Sequence, residues 1–247
     1  LKDKIYQFQI ANLNKQIEKS KVIITDFFKM VEKPYIALSW GKDSTVMTHL
    51  IISINDNIDV ISFVNEKDFH IETIINPIRD QYLNKFNINN YIEISDIPII
   101  ERYKKFGIPT IEVSTSEYEK QSAPACNKIV NCIIKNNNYD GCFLGLRIEE
   151  SRIRKMNYSK RGHTYYNKSK TIKICNPLNY WTNEDIWTYI KLNNIPYQCV
   201  YDEDMIFNKK DIRSEHLYLN KENIGQLVNY KLYHKEIYNK LIEELDL

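Results

Sequence analysis

The sequence predicts an α/β protein: an open, mostly parallel sheet with helices on both faces, an N-terminal helical segment and a small C-terminal helical extension. Three observations carry that expectation. Short apolar runs alternate with helix-period segments through most of the chain, the pattern of a parallel sheet covered on both sides. A polar, glycine-containing turn follows the first of those runs. No internal repeat or long linker interrupts the 247 residues, which fit one main domain with appendages. The expected division is residues 1–32, 33–200 and 201–247.

Residues 3 to about 32 read as helical, Ile5, Phe8, Leu13 and Ile17 giving a loose apolar stripe and Ile23, Phe27, Phe28 and Val31 a better one. Pro34 ends that helix, because it has no N–H and restricts the residue before it. A strand at 35–38, a turn at 39–44 and a helix at about 45–54 follow. Strands at 60–64 and 91–94 flank a helix from about 71 to 86. A short strand is expected at 108–113, and Pro124 is expected to open a helix at 125–135, ended by Asn136–Asn138 and Gly141. A core strand at 141–146 runs into a polar segment, 147–154. Another strand is expected at 171–175, then a helix at 183–193 capped by Thr182, then short helices at 222–232 and 234–245.

Composition narrows the class. No uncharged apolar stretch approaches the roughly 20 residues a membrane span needs, and the N-terminus has no apolar signal core, so a cytoplasmic location is expected. Net charge is +2, which supplies no global attraction to DNA or RNA. The five cysteines, at 126, 132, 142, 175 and 199, are odd in number and widely spaced, without a CxxC pair. A disulfide scaffold and a zinc or iron-sulfur site built on close cysteine pairs are therefore not expected.

The strongest local signal is the run Tyr35 to Ser44, YIALSWGKDS. The strand delivers Ser39, Trp40 and Gly41 to the carboxyl edge of the sheet, where open parallel sheets bind ligands. Gly41 permits a tight turn or a close approach of backbone to an anion. Asp43 and Ser44 are candidates to cap the next helix, whose N–H groups and positive end favour phosphate. Ser39, Ser44 and Thr45 add hydroxyls, and Lys42 adds charge. The Walker A pattern is absent: Asp43 follows Gly41-Lys42, and the earlier glycine of that motif is missing. An ordinary strand-to-helix turn would use the same residue types.

A second signal is Gly145-Leu146-Arg147, leaving a buried-type strand, with Glu149, Glu150, Ser151, Arg152 and Arg154 directly after it. Arg147 and Arg154 offer planar forks suited to phosphate or sulfate. Glu149 or Glu150 could hold Mg²⁺ or orient an arginine, and internal salt bridges in a surface turn are the plain alternative. Between Ser151 and Asn183 there is no acidic residue, while Arg152, Arg154, Lys155, Lys160, Arg161, Lys168, Lys170 and Lys173 accompany His163, Tyr165 and Tyr166. That basic loop suits a nucleotide lid, a solvated loop or a nucleic-acid surface, in that order.

Four segments in order resemble the phosphoadenosine phosphosulfate (PAPS) reductase family, of the adenine-nucleotide alpha-hydrolase superfamily. SWGKDS resembles the family's SxGKDS pyrophosphate-binding loop, and FVNEKDFHIET its second-strand segment. GLRIEESRIR resembles the element that holds acidic groups of the nucleotide, and NPLNYWTNEDIWTYIKLNNIPY the family's Trp-Thr…Ile-Trp helix leading to Pro-Tyr. The resemblance spans roughly residues 20–205. It implies an adenine nucleotide contacted by backbone at the end of the second strand, around Phe63 and Asn65. It implies phosphates held by Ser39, Trp40, Gly41, Lys42, Asp43 and Ser44, with Gly145, Arg147 and Arg154 opposite.

Departures bear on activity. Family reductases use a C-terminal cysteine in a Glu-Cys-Gly-Leu-His element, and no cysteine follows Cys199 here. Iron-sulfur members have an adjacent cysteine pair and a later CxxC, whereas Ala125 stands beside Cys126, so no cluster is expected. Asn65-Glu66 replaces Asp-Thr, and Ile71 replaces Pro. The resulting expectation is an ATP- and Mg²⁺-using enzyme that cleaves between the α and β phosphates, with Lys42, Asp43 and Arg147 as catalytic groups and Asp43 and Glu150 as metal ligands. Asp43 serves a helix cap nearly as well, and His49 and His70 read as structural. Rival expectations are a sulfonucleotide reductase using Cys126 or Cys199, and a non-catalytic nucleotide or partner-binding protein linked to DNA modification or defence. The N-terminal helix is a candidate surface for a second copy or a protein partner.

Overall fold

Pro34 stands where the first helix must stop, and α1 (Lys2–Met30) ends just before it. The computed structural model describes residues 2–64, 71–95, 97–109, 111–203, 219 and 224–247. The wholly apolar run after Pro34 forms β1 (Pro34–Leu38), followed by α2 (Lys42–Ile52), β2 (Asp59–Phe63), a π turn (Ile71–Ile75) continued as α3 (Asn76–Lys85), and β3 (Asn90–Ile94). Then come α4 (Ile99–Phe106), α5 (Thr115–Asn136), β4 (Gly141–Phe143), a 3₁₀ turn (Ile148–Glu150) and α6 (Arg152–Arg161). A hairpin of β5 (Thr164–Asn167) and β6 (Ile172–Cys175) precedes α7 (Asn183–Asn193), a 3₁₀ turn (Cys199–Tyr201), α8 (Ile224–Tyr233) and α9 (Lys235–Leu245).

The six strands run in the order β3-β2-β1-β4-β6-β5. β1 pairs parallel with both β2 and β4, β4 pairs parallel with β6, and β5 closes the edge antiparallel to β6. Strand order reverses at β1, so the carboxyl ends of β1 and β4 form the crevice where doubly wound sheets take ligands. The register pairs Ile36 with Phe143, which carries Leu38 and Gly145 to the same level two residues on.

Cα proximity divides the chain into two compact units. One holds Leu1–Ser62, Gln81–Ile92 and Ile134–Tyr197; the other holds Phe63–Asp80, Glu93–Ile133 and Gln198–Leu247. In the first, Phe27 meets Phe143 edge-on at 4.8 Å, and Ile36, Val46, Val60 and Ile186 are fully buried. α1 belongs to this core: Leu13, Ile24 and Phe27 are inaccessible, and Ser20 links the Pro177 carbonyl to the Trp181 indole. Phe8 stays largely exposed. In the second unit, Ile237 and Leu241 of α9 are buried, α4 packs on α9 with Lys104 bridging Glu244, and Tyr103 meets Tyr118 at 5.8 Å.

Four local expectations are corrected. In place of the strand expected at 108–113, Ile111 and Glu112 lie in a turn and Pro109 and Val113 make one isolated bridge, the Glu112 carboxylate taking the Ile108 N–H. Pro124 does not open a helix; α5 begins nine residues earlier, where Ser114 accepts the Glu117 N–H, and runs through the proline. The strand at 141–146 stops at Phe143. The basic stretch after Ser151 is a helix and a hairpin rather than a loop, α6 being capped by the Ser151 hydroxyl and ended by Gly162 at φ +70°.

Candidate functional site

The turn after β1 is built differently from what its glycine suggests. Gly41 is extended, at φ −70° and ψ 154°, and Trp40 takes the left-handed conformation, at φ +61°. Such a conformation costs an L-residue roughly 1–2 kcal/mol. Burial of the indole compensates, since Trp40 is almost inaccessible and meets Tyr82 and Tyr91 edge-on at 5.7 and 5.8 Å. The ring of Trp40 is thus a core anchor that fixes the direction in which the backbone leaves β1.

Gly41 is the N-cap of α2, and no side chain caps that end. The expected capping by Asp43 and Ser44 does not occur, because both lie inside the first turn. Ser44 instead ties the loop together: its Oγ accepts the Ser39 N–H (3.2 Å), donates to the Gly41 carbonyl (2.9 Å) and lies 3.1 Å from Ser39 Oγ. Ser39 is exposed, while Lys42 and Ser44 are buried. The first turn of α2 therefore presents an uncapped, positively polarised helix end.

Gly145 brings the second half of the site against this end. A Cβ there would lie 3.0 Å from the Ser44 Cα and N and 3.1 Å from the Asp43 carbonyl carbon, so only glycine permits the approach. Two residues later the buried Arg147 side chain donates through Nε to Asp43 Oδ1 (2.8 Å) and through Nη1 to Glu149 Oε2 (2.8 Å) and the Trp181 carbonyl (3.2 Å). Burial works against the charge of Arg147, but Asp43, Glu150 and Glu149 outweigh it and hold the guanidinium pKa above its ordinary value. Lys42 Nζ meets the other Asp43 oxygen at 3.1 Å.

The two glutamates orient arginines, one of the two roles the sequence left open. Glu150 Oε2 accepts the Arg147 backbone N–H at 2.8 Å and the Arg154 guanidinium. Glu149 Oε2 also accepts the Asn183 N–H at 2.7 Å, so the start of α7 is tied to Arg147. That start has its own cap, Thr182 and Asp185 exchanging hydrogen bonds in a capping box. Two helix N-termini, those of α2 and α7, thus converge on one arginine. Sequence reading missed the Trp181 carbonyl and the Asn183 N–H; the Thr182 capping signal placed a helix start there but not its neighbour.

Phe63 ends β2, and Asn65 and His70 lie outside the described residues. His49 is structural, its Nδ1 2.9 Å from the Tyr189 hydroxyl. Cys142 and Cys175 lie in the sheet, where burial pushes both thiols up to about 12. Cys199 is exposed. Among the described residues no helix is long and apolar enough to cross a membrane.

Comparison with known proteins identifies the relatives of this chain. The adenosine 5'-phosphosulfate (APS) reductase 2 of Bacillus subtilis is 29% identical over 205 residues, covering 77% of this chain and 78% of that protein. The APS reductase of Oceanobacillus iheyensis is 27% identical across 67% of this chain, and the match spans just 65% of that protein. Sulfate adenylyltransferase subunit 2 of Hahella chejuensis is 27% identical across 76% of the chain and 66% of its own length. The PAPS reductase of Candida auris, solved with phosphate, shares the fold at a TM-score of 0.55 and 17% identity, over 78% of this chain and 89% of that one. With the domain signature "phosphoadenosine phosphosulfate reductase domain" matching residues 33–241, the chain belongs to the PAPS reductase domain family.

Proposed function

We propose that the protein binds ATP with Mg²⁺ at the β1–α2 corner and cleaves it between the α and β phosphates, releasing pyrophosphate. The observation that carries the reading is the Arg147–Asp43 contact, which joins the uncapped start of α2 to the end of β4. The residues fit such a ligand. Backbone N–H groups of the α2 first turn and the Ser39 and Ser44 hydroxyls suit the β and γ phosphates. Arg147 and Arg154 suit the α-phosphate, where charge develops as the acceptor oxygen attacks phosphorus and the bond to the leaving pyrophosphate breaks.

Charge balance argues for the metal. Among the described residues, Lys42, Arg147 and Arg154 are matched by Asp43, Glu149 and Glu150, so these side chains bring no net positive charge to a polyanion. Bound Mg²⁺ would supply that charge, with Asp43 as its ligand; Glu150, the other candidate ligand, already holds two donors. With Asp43 turned to the cation, Arg147 Nε would be free to donate to a phosphate oxygen, while Nη1 would keep its hold on Glu149 and the Trp181 carbonyl. The relative named as a sulfate adenylyltransferase subunit supports adenylyl transfer as the reaction class.

Incubation with ATP and Mg²⁺ tests the reading by following pyrophosphate against phosphate. Pyrophosphate with AMP or an adenylated acceptor supports it; ADP with phosphate overturns it, and tight binding without turnover makes the protein a nucleotide sensor.

A second reading rests on the relatives named as APS reductases: sulfonucleotide reduction through an unusual cysteine, Cys126 or Cys199. Burial first and Glu203 second push the Cys199 thiol above its ordinary value, which is unfavourable for a nucleophile. Sulfite release from a sulfonucleotide and thiol, lost in Cys126→Ser or Cys199→Ser, would establish this reading over the first.

A further inference from the structure

In the second unit, three side chains of unlike chemistry meet. Cys199 opens the 3₁₀ turn Cys199–Tyr201, Glu203 follows it, and His234 is the residue between α8 and α9. One donor atom from each lies within 4.8 Å of the others. His234 Nε2 is 2.5 Å from Glu203 Oε1, and the second oxygen of Glu203 takes the Asn229 side-chain amide. Glu203 and His234 are mostly shielded, and the Tyr230 ring walls the imidazole at 5.8 Å.

We propose that Cys199, Glu203 and His234 form a binding site for one divalent transition-metal ion of the zinc class. The donor set selects the ion: a thiolate and an imidazole are poor ligands for Mg²⁺ or Ca²⁺, and one cysteine cannot hold an iron-sulfur cluster. Sulfur, nitrogen and carboxylate oxygen are the three ligand types that zinc accepts, and three protein donors leave a fourth tetrahedral position for water. Zinc bond lengths near 2.0–2.3 Å imply donor separations of about 3.4 Å. The three donors reach that spacing if the His234–Glu203 hydrogen bond opens and Cys199 closes in, each by roughly an ångström. Asn229 then acts as the outer hydrogen-bond partner that fixes the carboxylate. The bound ion ties the turn after residue 198 to the α8–α9 junction, a cross-link between segments about 30 residues apart. The site also occupies Cys199, one of the two candidate thiols of the reductase reading.

The test uses the full chain, stripped with a chelator and without nucleotide, so its outcome is independent of the proposed ATP chemistry. Zn²⁺ is titrated calorimetrically, and Co²⁺ by absorption. The expected result is one ion per chain, a thiolate-to-cobalt charge-transfer band and d–d bands of tetrahedral intensity. Cys199→Ser abolishes the charge-transfer band. Glu203→Gln and His234→Gln each weaken Zn²⁺ binding about tenfold or more. Cys126→Ser and Cys132→Ser leave both signals unchanged, and metal-free melting curves confirm that each variant is folded. Absence of the band in the parent protein, or its persistence in Cys199→Ser, overturns the proposal.

Discussion

Arg147 is almost wholly buried, and three carboxylates make that tolerable: Asp43 and Glu149 at its side chain, Glu150 at its backbone N–H. Its fork is used on both edges, Nε one way and Nη1 the other. A lysine keeps the charge but cannot span both. Arg147→Lys should therefore remain folded while nucleotide affinity falls about tenfold or more, roughly 1.4 kcal/mol, by calorimetry with ATP and Mg²⁺. Unchanged affinity would remove the arginine from the binding account. His49 makes a different prediction. Burial, and secondarily the Lys85 charge, hold its pKa below the ordinary 6.5. As pH falls, the unfolded chain takes up this proton before the folded one does. The stabilisation is complete above about pH 6.5 and is lost on acidification through the lowered folded value. His49→Gln, which can still bond the Tyr189 hydroxyl, should flatten the fall in melting temperature between about pH 7 and pH 5. An identical slope in both proteins would show that other groups govern acid sensitivity.

At the scale of elements, the contact between the Gly145 backbone and the first turn of α2 is the tightest constraint on the site. Gly145→Ala places a methyl against backbone atoms rather than against a flexible side chain, so α2 or the β4 exit must shift. The expected cost is about 1–3 kcal/mol in denaturant unfolding, with a loss of nucleotide binding larger than the stability change explains. Full binding in a mildly destabilised variant would mean that the two segments need not approach so closely. The elements also show what a single sequence reveals. α7 was legible to the residue, 183–193, because Thr182 and Asp185 box one end and Asn194 takes the left-handed conformation at the other. α6 was not, because it buries none of its residues: Ile153 and Met156 face solvent, and apolar periodicity has nothing to register. Pro124 misled because a proline fits a first turn and costs a helix interior about 3 kcal/mol or more, yet α5 runs through it. The motif spacing singled out Asp43, Ser44, Gly145 and Arg147, which the structure brings together. The Asp43–Arg147 pairing, across 104 positions, was not legible, since only the strand order β1-β4 brings the two loops together. Cys199, Glu203 and His234 likewise carry no spacing signal, as the third donor comes from a distant helix junction.

For the molecule as a whole, the balanced charge of the β1–α2 corner has a thermal signature. A ligand that binds only the folded state stabilises by about 2.7 kcal/mol at a hundredfold excess over its dissociation constant. For a chain of this size that is a rise of about 5 °C or more in melting temperature. ATP with Mg²⁺ should produce it, whereas ATP with a chelator should produce little. Equal shifts under both conditions would contradict the metal requirement inferred from the ion pairs.

The strand order also dictates when the protein can be completed. β1 is flanked by β2, made soon after it, and by β4, which begins at Gly141. On a ribosome adding about 5–20 residues each second, the roughly hundred residues between them delay the second neighbour by several seconds. Through that interval the strand that leads into the Ser39–Ser44 turn has one bare flank, an unpaired edge of the kind that promotes misassociation of a nascent chain.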